Sequence, residues 1–349
     1  MTSGFCPRLR LRAVPEDPVL HLGEAPRPRR KLLAREVFRF AFYLPHDHAD
    51  IAPGVSHAID SYMRAVGEGP ATISYGHINH SEGSPLTAER WESLRRFLRN
   101  TTRRVFPDDF SESTQHDIEK RGFHAGLLFS EGFGNPNGYG LEYKSRIPWR
   151  STPGVTFVSQ LTATLPLEYL EAHGATQVRQ LALDMASKLL LVSGHAGLAI
   201  GLYGLLRPTN DAFRAEVLNH PGLDLRPAWY RQQWMGLQVD GIHWLNFFGP
   251  PLLAQLGGAR ALRAQLHEPE TALMDLPEDR VVVALGDRPD AGDLRTGKNL
   301  PAYRELARVL EPWLEPLFLP QWADTTPPRY SAFHLTESEA RHWWRRFLD

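Results

Sequence analysis

Gly241-Ile242-His243-Trp244-Leu245-Asn246-Phe247-Phe248-Gly249-Pro250-Pro251-Leu252-Leu253-Ala254-Gln255-Leu256-Gly257-Gly258 is the stretch from which the fold is best read. An aromatic and apolar run breaks at Gly-Pro, a Leu-rich segment follows, and Gly-Gly closes it. This is the punctuation of a strand that passes into a short helix. Nothing in the stretch can act as a nucleophile or hold a phosphate. His243 is its single titratable side chain. An imidazole beside Trp244 on a buried strand predicts a satisfied core or interface histidine rather than a catalyst.

The same reading extends outward in both directions. Residues 1–35 form a Pro- and Arg-rich arm, because Pro15, Pro18, Pro26 and Pro28 interrupt every helix. Val37 to Leu44 reads as an aromatic strand closed by Pro45, and Pro53 is placed to open a helix that runs to Val66 with Val55, Ile59, Tyr62 and Val66 on one face. Ala71 to Ile78 is β-like. Ala88 to Thr101 carries Trp91, Leu94, Phe97 and Leu98 at helical spacing behind Thr87. Strands follow at Gly126 to Phe129 and Tyr139 to Tyr143. The order then restarts: a strand from Val155 to Leu165, a helix from Thr176 to Val192, and a strand from Ala196 to Leu202. A helix from Asp211, strands at Ile242 to Phe248 and Val281 to Leu285, and a helix from Tyr303 to Leu310 complete it. His124-Ala125-Gly126-Leu127-Leu128 and His195-Ala196-Gly197-Leu198-Ala199 echo each other. The expected fold is α+β: mixed sheets flanked by helices, in two similar lobes (36–150 and 151–320), with a Trp-rich tail over 321–349.

Composition excludes several function classes. A net charge of −1 gives no global field that would draw in nucleic acid or an anionic membrane. Cys6 is the sole cysteine, so no intrachain disulfide forms and no Cys-based zinc module is possible. No apolar run approaches the ~18 residues of a membrane span, and the N-terminus lacks a signal-peptide core.

Chemistry-bearing patterns are sparse. The densest group is His46, Asp47, His48 and Asp50, with His57, His77 and His80 further on. On an extended strand His46 and His48 would share a face, and imidazole with carboxylate suits zinc. That pattern supports one reading as a metal-dependent hydrolase. Against it, no helical His-Glu-x-x-His arrangement occurs. Ser193-Gly194-His195 is the nearest approach to a Ser–His pair, but it reads as a helix end with no orienting carboxylate. Cys6, in an arm, lacks an oriented base. Gly132-Phe133-Gly134 and Gly138-Tyr139-Gly140 lack the Lys-Ser/Thr of a phosphate loop.

Two segments suit protein contact instead. Asp108, Asp109, Glu112, Asp117 and Glu119 concentrate negative charge over Pro107 to Glu119. Arg226-Pro227-Ala228-Trp229-Tyr230-Arg231 combines arginine and aromatic side chains, the types that anchor interfaces. The candidate partner-binding residues are therefore Asp108, Asp109, Glu112, Asp117, Arg226, Trp229, Tyr230 and Arg231.

Three segments taken together resemble one known family. They are Ser193-Gly194-His195-Ala196-Gly197-Leu198-Ala199, Gly241 to Gly249, and the Leu252-Leu253 to Gly257-Gly258 turn. Their order and spacing are similar to those of the type VI secretion immunity proteins that neutralise effectors with a VRR-type nuclease domain. The resemblance runs from about Val37 to Trp313. It implies a cytoplasmic, non-enzymatic inhibitor that binds a cognate toxin, and names neither that toxin nor its activity; a nuclease is one candidate. With the composition, the expectation is no cofactor, no metal, no nucleic-acid partner and no membrane.

Overall fold

The computed structural model describes residues 6–12, 32–78, 83–99, 112–113, 116, 125–130, 137–146, 157–202, 211–226, 235–316 and 335–349. Its centre is β2, Leu32–Leu44. β-branched and aromatic side chains favour a pleated surface, and the Val37 to Leu44 part of this strand is rich in them. From Val37 onward β2 pairs on one side with β7 (Ser159–Pro166) and on the other with β8 (Ser193–Leu202). The remaining strands are β1 (Arg10–Arg12), β3 (Tyr75–Ile78), β4 (Ser84–Pro85), β5 (Gly126–Ser130), β6 (Gly140–Lys144), β9 (Leu245–Phe248), β10 (Thr271–Leu276) and β11 (Arg280–Leu285).

Among the described residues they form one sheet of 11 strands, in the order β10-β11-β9-β8-β2-β7-β6-β5-β3-β4, with β1 paired to the start of β2. Every ladder is antiparallel. The class is α+β, as expected, and the strands join in a single sheet that passes through both 36–150 and 151–320.

Eight α-helices are described: α1 (His48–Val66), α2 (Ala88–Arg99), α3 (Leu167–Ala186), α4 (Asp211–Leu218), α5 (Pro250–Gln255), α6 (Gly258–Arg263), α7 (Pro301–Leu310) and α8 (Glu337–Trp344). α1 and α3 pack on each other, and both touch the sheet. Val55, Ile59 and Tyr62 of α1 are buried, as their spacing predicts. Several elements differ from the sequence reading, and three are instructive. α1 starts five residues before Pro53. α3 starts at Leu167 and is broken at Gly174, whose φ of 79° is left-handed. β10 went unnoticed, because Thr271-Ala272-Leu273-Met274-Asp275-Leu276 has no clean apolar alternation.

The stretch around Gly249 folds as its punctuation predicts: β9, then α5 with Pro250 at its first turn. Gly249 is required by space. Its N–H donates to the Val192 carbonyl at 2.9 Å, and a Cβ here would stand 1.8 Å from the Leu191 carbonyl oxygen. On the sheet's apolar face Phe38 meets Trp244 edge-on at 5.8 Å and Phe42 meets Phe247 at 5.5 Å. Such pairs contribute about 0.5–1.5 kcal/mol each beyond burial.

Residues 6–12 lie within the expected arm and are held to the sheet. Arg8 and Arg10 reach the buried Glu36 carboxylate, which also accepts from the Leu9 N–H at 3.0 Å. Cys6 is therefore buried, and burial pushes its thiol pKa up. Among the described residues no helix is long and apolar enough to cross a membrane.

Candidate functional site

Side chains alternate across a strand, and residues directly opposite in neighbouring strands share a face. Ala41 of β2 pairs with His195 of β8, and His195 pairs with Asn246 of β9. Arg39 and Tyr43 flank Ala41 on that same face. The register thus places Arg39, Tyr43, His195 and Asn246 together, opposite the face that carries Phe38, Phe40 and Phe42. Two further segments close over them: Asp224 to Arg226, tied to β8 by backbone bonds to Leu198 and Ile200, and Asp240 to His243, just before β9.

All these polar side chains are buried, so each needs a partner. Arg226 supplies most of the bonds. Its Nε donates to Asp224 Oδ1 at 3.1 Å, its Nη2 donates to the Asp240 carbonyl at 2.6 Å, and its Nη1 forms an ion pair with Asp240 Oδ1. Glu315 lies 3.6 Å from the same guanidinium. Arg39 donates to Asp224 Oδ2 at 3.4 Å and to the carbonyls of Arg226 and Ile200. Tyr43 donates its hydroxyl to Asp240 Oδ2, and His195 Nδ1 stands 3.5 Å from that oxygen. His243 Nε2 donates to the Asp240 carbonyl at 2.7 Å, and its backbone N–H donates to Asn246 Oδ1. The rings of His195 and His243 lie face to face, 3.6 Å apart and 9° from parallel. Gly241 adopts φ 68°, and a Cβ there would come within 2.5 Å of Arg226 Nη2. The Gly-Ile-His-Trp signature is thus partly the footprint of this network.

His195, Asp224, Asp240 and His243 offer four ligand atoms within 4.8 Å of one another, a donor set of the zinc type. The geometry does not suit an ion. Two imidazoles that ligate one ion aim a nitrogen at it and splay their rings apart, whereas these rings are stacked. The space between the carboxylates is bridged by the Arg226 guanidinium, a cation covalently part of the chain. The arrangement is an internal brace of two guanidiniums and three carboxylates that fixes the loops over β8.

The sequence-predicted groups fall elsewhere. His46 and His48 do not alternate on a strand, because the chain leaves β2 at Leu44 and turns into α1 at His48. His48 is buried: its Nε2 donates to the Leu98 carbonyl and its Nδ1 accepts from the Tyr143 hydroxyl, both at 2.9 Å. No lone pair is left for a metal, and burial holds its pKa below the ordinary value, against the pull of the Leu98 carbonyl. Asp47 pairs with Arg146, and His57 bonds the Asp184 carbonyl and the Ser187 hydroxyl. His77 packs over Gly83, and His80 lies outside the described residues. The His46/His48 metal centre is therefore not assembled. Ser193 begins a strand rather than ending a helix. A carboxylate, Asp240, does stand beside His195, but Ser193 Oγ donates to the Gln238 carbonyl at 2.8 Å.

Of the candidate contact residues, Glu112 is exposed and Arg226 is buried in the brace. Asp108, Asp109, Asp117, Trp229, Tyr230 and Arg231 lie outside the described residues. Reading the residues missed Arg39, Tyr43, Asp224, Asp240 and Glu315. Arg39 carried a usable signal: a charge in mid-run of an aromatic strand must find a buried counter-charge.

A family model described as type VI immunity for VRR-NUC (TsiV) matches residues 55–347. Among solved structures the fold is similar to that of the Pseudomonas aeruginosa T6SS protein PA0821, with a TM-score of 0.65 and 20% identity over 91% of this chain and 85% of that one. No curated protein sequence matches.

Proposed function

This chain belongs to the family of type VI immunity proteins for VRR-NUC effectors, and from that membership we propose that it neutralises a cognate nuclease-type toxin by forming a stoichiometric complex in the cytoplasm. The observation that carries the proposal is the family match across residues 55–347. The site geometry is in keeping with a binder. The richest set of imidazoles and carboxylates among the described residues is closed to solvent and spent on internal bonds. An inhibitor of this kind must dissociate slowly, which calls for a well-packed contact with a charged rim.

The contact surface we propose includes Asp108, Asp109, Glu112 and Asp117, because a nuclease must present a basic surface to nucleic acid and opposite charge speeds encounter. Trp229, Tyr230 and Arg231, which follow the buried Arg226, are the second candidate segment. The test is co-expression with the nuclease domain of a candidate effector, followed by co-purification. Protection of the host and a co-purifying one-to-one complex are expected, and protection that fails with both proteins soluble would overturn the reading. Reversing Asp108, Asp109 and Glu112 to Lys should slow association at low salt. An unchanged rate would shift the contact to the Trp229 segment.

A further inference from the structure

Among the described residues β10 ends the sheet, and half of its backbone groups face away from the ladder. The register sets Glu270 opposite Gly286 and Ala272 opposite Ala284, and the Gly286 N–H donates to the Glu270 carbonyl at 2.7 Å. In an antiparallel ladder, bonded pairs alternate with unbonded ones. Ala272, Met274 and Leu276 therefore point their N–H and C=O groups at β11. The ladder beyond agrees: Leu285 donates to the Trp244 carbonyl, so alternate residues of β11 face β9. It follows that the N–H and C=O of Leu273 and Asp275, with the Thr271 carbonyl, face outward. The Thr271 N–H is taken by Glu268. The opposite end of the sheet differs. β4 has two residues, one of them Pro85, and proline blocks strand addition. β10 carries neither proline nor lysine, the usual guards of an exposed edge.

The rim of this edge is acidic. Glu270, Asp275, Glu278 and Asp279 are exposed along it, with Glu268 half-buried beside them. Arg263 answers Asp275 at 3.1 Å and Arg280 stands 3.6 Å from Glu278, so the acidic residues of this rim outnumber the basic ones beside them. A second copy of the chain laid antiparallel on β10 would bring these carboxylates against themselves. A basic strand would be matched by them. We propose that the β10 edge is a docking site that accepts an extended, Lys/Arg-flanked segment of the nuclease toxin as an added strand; the proposal rests on the chain being a toxin inhibitor. Main-chain bonds to Leu273 and Asp275 supply the register, and the acidic rim selects the partner.

The test uses the full chain and the VRR-type nuclease domain that it neutralises in co-expression. Asp275→Pro removes an outward N–H without touching the β11 ladder, and Asp275→Ala removes the same side chain and keeps the N–H. Asp275→Pro should bind about tenfold more weakly than Asp275→Ala, and Glu270→Lys with Asp279→Lys should slow association at low salt. In hydrogen exchange, the Leu273 and Asp275 amides should slow in the complex, whereas Ala272 and Met274 are protected with or without toxin. A complex that forms and leaves the Leu273 and Asp275 amides fast overturns the edge proposal and leaves the inhibitor reading standing. Protection of those amides in the chain alone, with a dimeric mass, assigns the edge to self-association and also overturns it. If no nuclease is neutralised, the inhibitor reading fails first, and the proposal with it.

Discussion

The middle of the sheet and its β10 end treat polar groups in opposite ways. At the centre, Arg39, Asp224, Arg226, Asp240, His195 and His243 are buried and bonded to one another. At the β10 end, backbone donors and acceptors face outward beside exposed carboxylates. Polar groups in the interior are fixed by the cost of leaving any of them alone. Polar groups at the rim cost little while water serves them, so they stay available to a partner. Stability belongs to the first region, and the recognition we propose belongs to the second.

The sharpest contrast comes from two aspartates. Asp240→Ala removes a buried carboxylate that serves both Arg226 and the Tyr43 hydroxyl, and should lower unfolding free energy by about 3–5 kcal/mol. Asp275→Ala, at the edge, should change it by less than about 0.5 kcal/mol. Chemical denaturation of both variants measures the difference, and equal losses would remove the distinction between brace and rim. His243→Ala takes away the stacked ring and the bond to the Asp240 carbonyl, and should cost about 1–3 kcal/mol. A stability near wild type, with neutralisation lost, would move that imidazole to the recognition side.

His48 provides a pH-dependent version of the same contrast. Burial holds its folded pKa below the ordinary value. As pH drops past about 6.5 the unfolded chain takes up a proton that the folded chain refuses. Stability should therefore fall with pH below that point, toward the depressed folded value. His48→Gln should lose this component in denaturant titrations run at several pH values, and an identical slope in wild type and variant would show that His48 does not titrate as its burial implies. The smallest effect is expected at Glu112: Glu112→Lys should leave the melting temperature within about a degree or two, since an exposed charge contributes little.

Local pattern made much of the fold legible. The aromatic run of β2, the Gly249-Pro250 break and the buried spacing of Val55, Ile59 and Tyr62 each follow from a few neighbouring residues. What stayed hidden depends on partners far along the chain. His195 and Asp240 are 45 positions apart, and Arg39 and Asp224 are 185 apart; no spacing rule connects them. His46 and His48 misled for the opposite reason. Their adjacency suggested a shared face, but the strand ends before them, and His48 is drawn into the core by Tyr143 and Leu98. β10 escaped notice because an edge strand, half-buried on both sides, need not alternate.

The central claim is stoichiometric neutralisation. Titrating the purified chain into a fixed amount of its target nuclease, with substrate cleavage as the readout, tests it directly. The account predicts that activity falls linearly and vanishes at one chain per nuclease. Full inactivation by far less than one equivalent would reveal a catalyst, and activity that persists at excess chain would show that this nuclease is not neutralised.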